Sequence, residues 1–116
     1  MSNYTQTSIC AEVPKSGSGE FITDLIPAQF FRHGLSLTFY SDTSADSVIL
    51  PSVGTGTITA TDNGVTYGNI PNGIVDVKDT NAGMPNCCGR ILRFKLELKD
   101  IPAEAKYFRM IVNSYA

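Results

Sequence analysis

The chain has 116 residues, of which 17% are charged, and a formal net charge of −2 at pH 7. This length allows one domain around a single core, and so small a negative charge predicts neither nucleic acid nor an anionic membrane as a partner. No apolar run is long enough for a transmembrane helix and residues 1–6 lack the features of a secretory signal, so we expect synthesis in the cytoplasm.

Residues 1–20 are predicted to form an extended N-terminal arm. Few of their side chains are apolar, and Pro14 is followed at residues 16–19 by alternating Ser and Gly, a flexible linker composition. A disordered tail is the alternative interpretation. Docking of the arm on its own domain or on a neighbouring subunit is favoured by three apolar residues, Tyr4, Ile9 and Val13.

Residues 21–116 are predicted to form the folded domain. An apolar segment that includes Phe30 and Phe31 precedes a strand at residues 35–40, where apolar and polar side chains alternate. Thr-rich sequences on both sides of Asn63-Gly64 predict a hairpin with a type I′ turn, in which both central residues have positive φ. A further turn is predicted at residues 71–73.

A long loop is predicted over residues 78–89, which show no regular pattern. About twelve irregular residues are long for a compact domain, and such loops are often functional or interfacial. Met84 and Pro85 lie in it, as do Cys87 and Cys88. Adjacent cysteines are poorly placed to form a disulfide, and we interpret these two, with Cys10, as small buried thiols.

The C-terminal part shows the clearest period-two pattern in the chain. The even-numbered residues from 92 to 98 are apolar and the odd-numbered residues from 93 to 99 are charged, which predicts a strand with one buried face. A corner containing Pro102 follows, and a second strand begins at Tyr107. Seven to eight short strands and no helical period therefore predict an all-β protein, a single antiparallel β-sandwich of immunoglobulin-like or jelly-roll type.

Enzymatic activity, metals and cofactors are not expected. His33 is the only histidine, and nucleophilic catalysis needs a histidine that a third group orients. Its place before a strand favours a capping or surface role. A zinc site built from His33 and the three cysteines would depend on an adjacent pair, which does not match the usual ligand spacing.

Residues 94–112, a strand, a corner and a strand, resemble the corresponding part of fibronectin type III and related immunoglobulin-like domains. In those domains a tyrosine after the corner bonds back to the upstream backbone, and the resemblance implies this role for Tyr107. Such domains continue into one further strand. The resemblance therefore implies an open sheet edge here, which the arm of the same chain or of a neighbour would fill.

In length and style the chain also resembles the small β-sandwich accessory proteins of tailed-bacteriophage virions. Residues 54–67, a Thr- and Gly-rich hairpin sequence, and the apolar C-terminal end carry this resemblance. Proteins of that group decorate or cement capsids, or sit on tails, and bind through arms, loops and sheet edges. The resemblance implies no catalytic residue.

We therefore expect a non-enzymatic virion structural protein, most simply a capsid decoration protein that binds the major capsid protein or other virion subunits and forms homo-oligomers. A phage tail or connector component is a variant of this hypothesis. The alternative is a carbohydrate- or receptor-binding adhesion module, with a shallow site at Tyr40, Tyr67 or the loop at residues 78–89. The expected partner-binding residues are Tyr4, Ile9, Val13, Phe30, Phe31, Met84 and Pro85.

Overall fold

A computed structural model describes residues 3–51, 53–76 and 86–116. Within these ranges the chain forms nine strands: β1 (Tyr4–Glu12), β2 (Gly19–Ile22), β3 (Arg32–Tyr40), β4 (Val48–Ile49), β5 (Thr55–Thr61), β6 (Gly68–Asp76), β7 (Asn86–Cys88), β8 (Arg93–Lys99) and β9 (Tyr107–Tyr115). No helix in the described part is long and apolar enough to cross a membrane. The all-β prediction is confirmed, although the strands number nine rather than seven or eight.

The strands form two antiparallel sheets. The first has the order β1-β9-β3, with β4 and β7 both paired to the other side of β3, and the second has the order β2-β8-β5-β6. The pairs β1–β9, β2–β8, β3–β7 and β5–β6 are nested along the chain, as if one long hairpin had been folded over. Of the two predicted topologies, this nesting is that of the jelly roll.

The core lies between the sheets and follows from the alternation of side chains along the strands. The even-numbered residues from 94 to 98 of β8 are buried while their charged neighbours point outwards, as predicted. In β9 the same rule buries Phe108, Met110 and Val112. Phe21 of β2 meets Phe108 edge to face, with ring centroids 4.6 Å apart, so the first and second sheets are in direct contact.

The N-terminal residues form a strand of this sandwich, which corrects the prediction of a separate arm. β1 pairs with β9 of the same chain over nine residues, in unbroken register from Tyr4 opposite Tyr115 to Glu12 opposite Tyr107. Ile9 and Ala11 pack against the core. The expectation that this segment fills the open edge beside the last strand is met within a single chain.

The predicted corner carries the chain from the second sheet to the first. Asp100 adopts a positive φ of 57°, which Asp tolerates better than most residues, and the Ile101 N–H donates to the Gly17 carbonyl at 3.0 Å. The role predicted for Tyr107 is not found, because its hydroxyl has no hydrogen bond among the described residues. The corner is held by the backbone of residues 17 and 101 instead.

Two turn predictions were wrong. Only Gly64 of the Asn63-Gly64 pair has positive φ, so the turn is not type I′. The Asn63 side chain instead accepts the N–H groups of Val65 and Thr66, at 2.8 and 2.9 Å, within a wider loop. Residues 71–73 lie inside β6, where the register with β5 shifts. Gly73 is needed there because a Cβ would come within contact of the Ile58 carbonyl oxygen.

Candidate binding surfaces

The outer face of the first sheet carries tyrosines at both of its ends. The register of β1, β9 and β3 aligns their outward side chains in rows across the sheet. Tyr4, Tyr115 and Arg32 form the row at one end, and Glu12, Tyr107 and Tyr40 form the row at the other. The rows between hold mostly polar residues, with Arg109 and Ile111 on the central strand β9. Aromatic groups therefore mark both ends of this face.

The first candidate surface is the aromatic patch, which we define as Tyr4, Phe31 and Tyr115. Their side chains are 44%, 51% and 40% exposed. The rings of Tyr4 and Tyr115 lie 5.5 Å apart at an angle of 34°, and the Phe31 N–H donates to the Tyr115 carbonyl at 2.9 Å. Arg32 adds a positive charge beside the patch and donates to the Ala116 carbonyl at 3.3 Å.

A buried hydrogen-bond chain underlies the aromatic patch. His33 is only 2% exposed, and its Nδ1 and Nε2 lie 2.8 Å from Ser114 Oγ and 3.0 Å from the Gly89 carbonyl oxygen. A carbonyl can only accept, so we assign the ring proton to Nε2, and Ser114 donates its hydroxyl hydrogen to Nδ1. His33 thereby joins β3, β9 and the residue after β7.

The sequence favoured a capping or surface role for His33, but the side chain is buried. Burial lowers its pKa below the ordinary value, and the hydrogen bond to the Gly89 carbonyl opposes this in part. A serine that donates to a histidine has the connectivity of a nucleophile and its base, but Ser114 is fully buried. With no access for a substrate, the pair holds strands together.

The three cysteines lie at two kinds of position. Cys10 and Cys88 are exposed and Cys87 is half-buried, which corrects the interpretation of three buried thiols. Cys87 and Cys88 occupy successive positions of β7, so they point to opposite faces. Burial, with a smaller effect of the Cys88 charge, raises the pKa of the Cys87 thiol to about 11.

The second candidate surface is the tyrosine cleft, at the opposite end of the same sheet face. Its volume is about 450 Å³. Tyr40 and Tyr107 are cross-strand neighbours, and Glu12, Asp42 and Arg109 add charged groups to the lining. The Asp42 carboxylate accepts the Ser44 N–H at 2.7 Å, which orders the loop over the cleft. Aromatic faces beside several hydrogen-bonding groups suit a small polar ligand that has an apolar side.

The seven residues expected to bind a partner separate into four groups. Tyr4 and Phe31 lie in the aromatic patch. Phe30 is 4% exposed and belongs to the core, so its predicted role as a contact residue was wrong. Ile9 and Val13 are partly buried against the same core and attach the N-terminal segment to its own domain. The remaining two, Met84 and Pro85, lie outside the described residues.

Two residues that complete the surfaces had no binding role among the expected contacts: Tyr115 was not among them, and Tyr107 was expected only at the corner. Long-range pairing with β1 and β3 brings them to the surfaces, and no local pattern reveals this pairing. Tyr67, named as a possible sugar contact, instead lies under Lys95, whose Nζ is 4.5 Å from the ring centroid. The described ranges contain no group of three or more His, Cys, Asp or Glu side chains that could hold a metal ion.

No family model matches the chain, and no curated protein or solved structure matches it either.

Proposed function

We propose that this protein is a non-enzymatic structural subunit of a virion, and that it decorates the capsid by binding the major capsid protein or another virion subunit. The observation that carries the proposal is the aromatic patch. Of the residues expected from the sequence to contact a partner, Tyr4 has its ring beside that of Tyr115, and the exposed Phe31 is bonded to Tyr115 through its backbone. Jelly rolls occur in viral capsid and lectin domains, but the fold alone assigns no function.

The patch has the properties of a protein-binding site. Aromatic residues dominate the binding energy of many interfaces because they bury a large area at a small entropic cost. Here the backbone beneath them is fixed by the ladder between β9 and its neighbours and by the buried His33. On a capsid lattice the contact would be repeated many times, so a modest single affinity is sufficient.

The test is binding to purified particles from a lysate of the source organism. Phe31→Ser removes the most exposed ring of the patch without touching the core, and we expect it to weaken co-sedimentation with heads by about tenfold or more, a loss of at least about 1.4 kcal/mol. Val65→Ser is the matched control, since Val65 is 81% exposed and lies in the loop between β5 and β6. Its binding should equal that of the wild type.

Separate sedimentation with isolated heads and isolated tails distinguishes decoration from a tail or connector role. Binding to tails alone would replace the capsid assignment by the tail variant. Equal binding by Phe31→Ser and the wild type would remove the patch as the contact. Failure of the wild type to bind either particle would contradict the virion proposal itself.

A second candidate function, recognition of a carbohydrate, is favoured by the tyrosine cleft. Stacking on Tyr40 and Tyr107 would hold the apolar face of a sugar, and the carboxylates of Glu12 and Asp42 would accept hydrogen bonds from its hydroxyls. On a glycan array, Tyr40→Ala should abolish any signal of the wild type. Tyr67→Ala should leave it unchanged, because Tyr67 is not among the residues that line the cleft.

A further inference from the structure

β1 differs from the other strands at the sheet edges in carrying almost no protection against pairing. Sheet edges are usually blunted by shortness, proline, bulges or charged side chains, lysine above all. β2, β4 and β7 have four, two and three residues, and β6 contains Pro71 and a register shift. β1 has nine residues in unbroken register and a single charged residue, Glu12, at its end.

The outer edge of β1 presents backbone groups in a known order. The Ala116 N–H donates to the Asn3 carbonyl and the Val13 N–H donates to the Lys106 carbonyl. In an antiparallel ladder such hydrogen-bonded positions alternate with positions that face away. Odd-numbered residues of β1 therefore bond to β9. The N–H and C=O groups of Gln6, Ser8, Cys10 and Glu12 point to the open edge, where none has a partner among the described residues.

We propose that two copies of this chain pair antiparallel through β1, with a two-fold axis at Ser8, so that the first sheets of both copies become one continuous sheet. In this register all nine residues of each strand overlap. Gln6 lies opposite Cys10 of the second copy and Ser8 opposite Ser8, and all of these are positions whose backbone groups face the open edge. Glu12 lies opposite Tyr4, so no like charges meet.

The partner at the open edge of β1 is the β1 strand of a second copy, because β1 is complementary to itself. Every outward-facing position meets a neutral or hydrogen-bonding side chain under the two-fold axis, and the only charge is separated from its own symmetry mate by the length of the strand. A foreign strand would share the backbone bonding but would have no reason to match this register.

The test uses opposite charges at the two-fold axis. Ser8 is exposed, so Ser8→Lys and Ser8→Asp should both fold, and each should weaken self-association by roughly tenfold or more because like charges directly opposite each other destabilise strand pairing. An equimolar mixture of the two variants should dimerise again, because Lys then lies opposite Asp. Ser36→Lys is the control, since Ser36 is on the same face and in the same row but on β3.

Sedimentation velocity measures the self-association of the wild type, of both Ser8 variants and of Ser36→Lys, each as the full chain. Circular dichroism checks that all four proteins are folded. A wild type that stays monomeric at the highest soluble concentration would overturn the proposal, and so would dimers unaffected by either Ser8 variant. A mixture that remained monomeric would overturn the two-fold register. The inference does not depend on the aromatic patch: loss of particle binding by Phe31→Ser with intact dimers, or the converse, separates the two.

Discussion

His33 lies where three segments meet, and its protonation state is coupled to their contact. The ring is buried between Ser114, the Gly89 carbonyl and the edge of Phe94, whose centroid is 5.6 Å away. No described carboxylate contacts it, so nothing compensates a positive charge there. Burial lowers the pKa of His33 for this reason.

The free energy of unfolding should therefore fall as the pH decreases below about 6.5, the ordinary pKa of histidine. The unfolded chain takes up a proton in this range while the folded protein resists it, so stability is fully present above about pH 7 and declines until the lowered folded pKa is reached. The slope should approach about 1.4 kcal/mol per pH unit. Urea denaturation from pH 7.5 to 5 measures it.

His33→Gln is the control for this pH dependence. The variant keeps hydrogen-bonding groups in the ring's place but cannot titrate, and the chain has no other histidine. Its stability at pH 7 can be lower, while its slope between pH 7 and 5 should be nearly flat. A slope equal to that of the wild type would assign the effect to other groups.

The three thiols should differ in reactivity. Cys10 and Cys88 are exposed, whereas burial raises the pKa of Cys87 to about 11, so very little of its thiolate forms near neutral pH. A chromogenic disulfide reagent at pH 8 should titrate two thiols quickly and one slowly in the folded protein. Cys87→Ala should remove only the slow phase, and loss of a fast phase instead would contradict the placement of Cys87.

Among the elements, the corner between β8 and β9 depends on close packing against Gly17. Gly17 has a φ of +80°, and a Cβ there would lie 2.5 Å from the Ile101 carbonyl oxygen. The same corner presses on Gly54, where a Cβ would lie 2.8 Å from the Asp100 carbonyl oxygen. Residues that looked like a flexible linker in the sequence thus provide space for the corner's backbone.

Gly17→Ala should destabilise the fold by about 1–3 kcal/mol from the positive φ, and the clash should add to this loss. Gly64→Ala is the matched control, because Gly64 has nearly the same φ of +79° with nothing within 4 Å of the added Cβ. It should show the backbone cost alone, about 1 kcal/mol. Thermal unfolding of both compares them. Equal losses would mean that the corner moves to accommodate the methyl group.

The strength of each local pattern explains which elements could be predicted. The prediction of β8 was correct because its alternation of apolar and charged residues is unambiguous. β1 was missed because its partly buried positions hold Thr5, Thr7 and Ala11, with only Ile9 large and apolar. The turn at Asn63 was misassigned because its side chain caps the backbone of the loop, a competing role for asparagine that the sequence does not distinguish from type I′ geometry.

For the whole molecule, the nested pairing makes β1 part of the fold and not an accessory. Deleting residues 2–12 should therefore abolish cooperative thermal unfolding, because β9 would lose a neighbour along its full length. Ile9→Ala is a milder test and should cost about 1–2 kcal/mol, less than at a fully buried site. A truncated chain with an unchanged unfolding midpoint would restore the interpretation of residues 1–20 as a separate arm.

The sheet order was beyond the reach of sequence patterns, and the candidate surfaces depend on it. A two-residue periodicity shows which residues share a face but not which strand lies beside which. The aromatic patch needs Tyr4 and Tyr115 in one row, and the tyrosine cleft needs Tyr40 beside Tyr107. Each is a juxtaposition of residues far apart in the chain. The class of fold could be predicted, whereas the surfaces required the register.

The nesting also has a consequence for synthesis. β1 is synthesised before the other strands of the sandwich and its partner β9 after them, since Tyr4 pairs with Tyr115. At translation rates of about 5–20 residues per second, β1 waits on the order of 5–20 s with both edges unsatisfied. Its near-neutral sequence keeps it compatible with any exposed strand during that interval. Chains that are synthesised on the same mRNA can therefore pair with one another through β1 before any of them has folded.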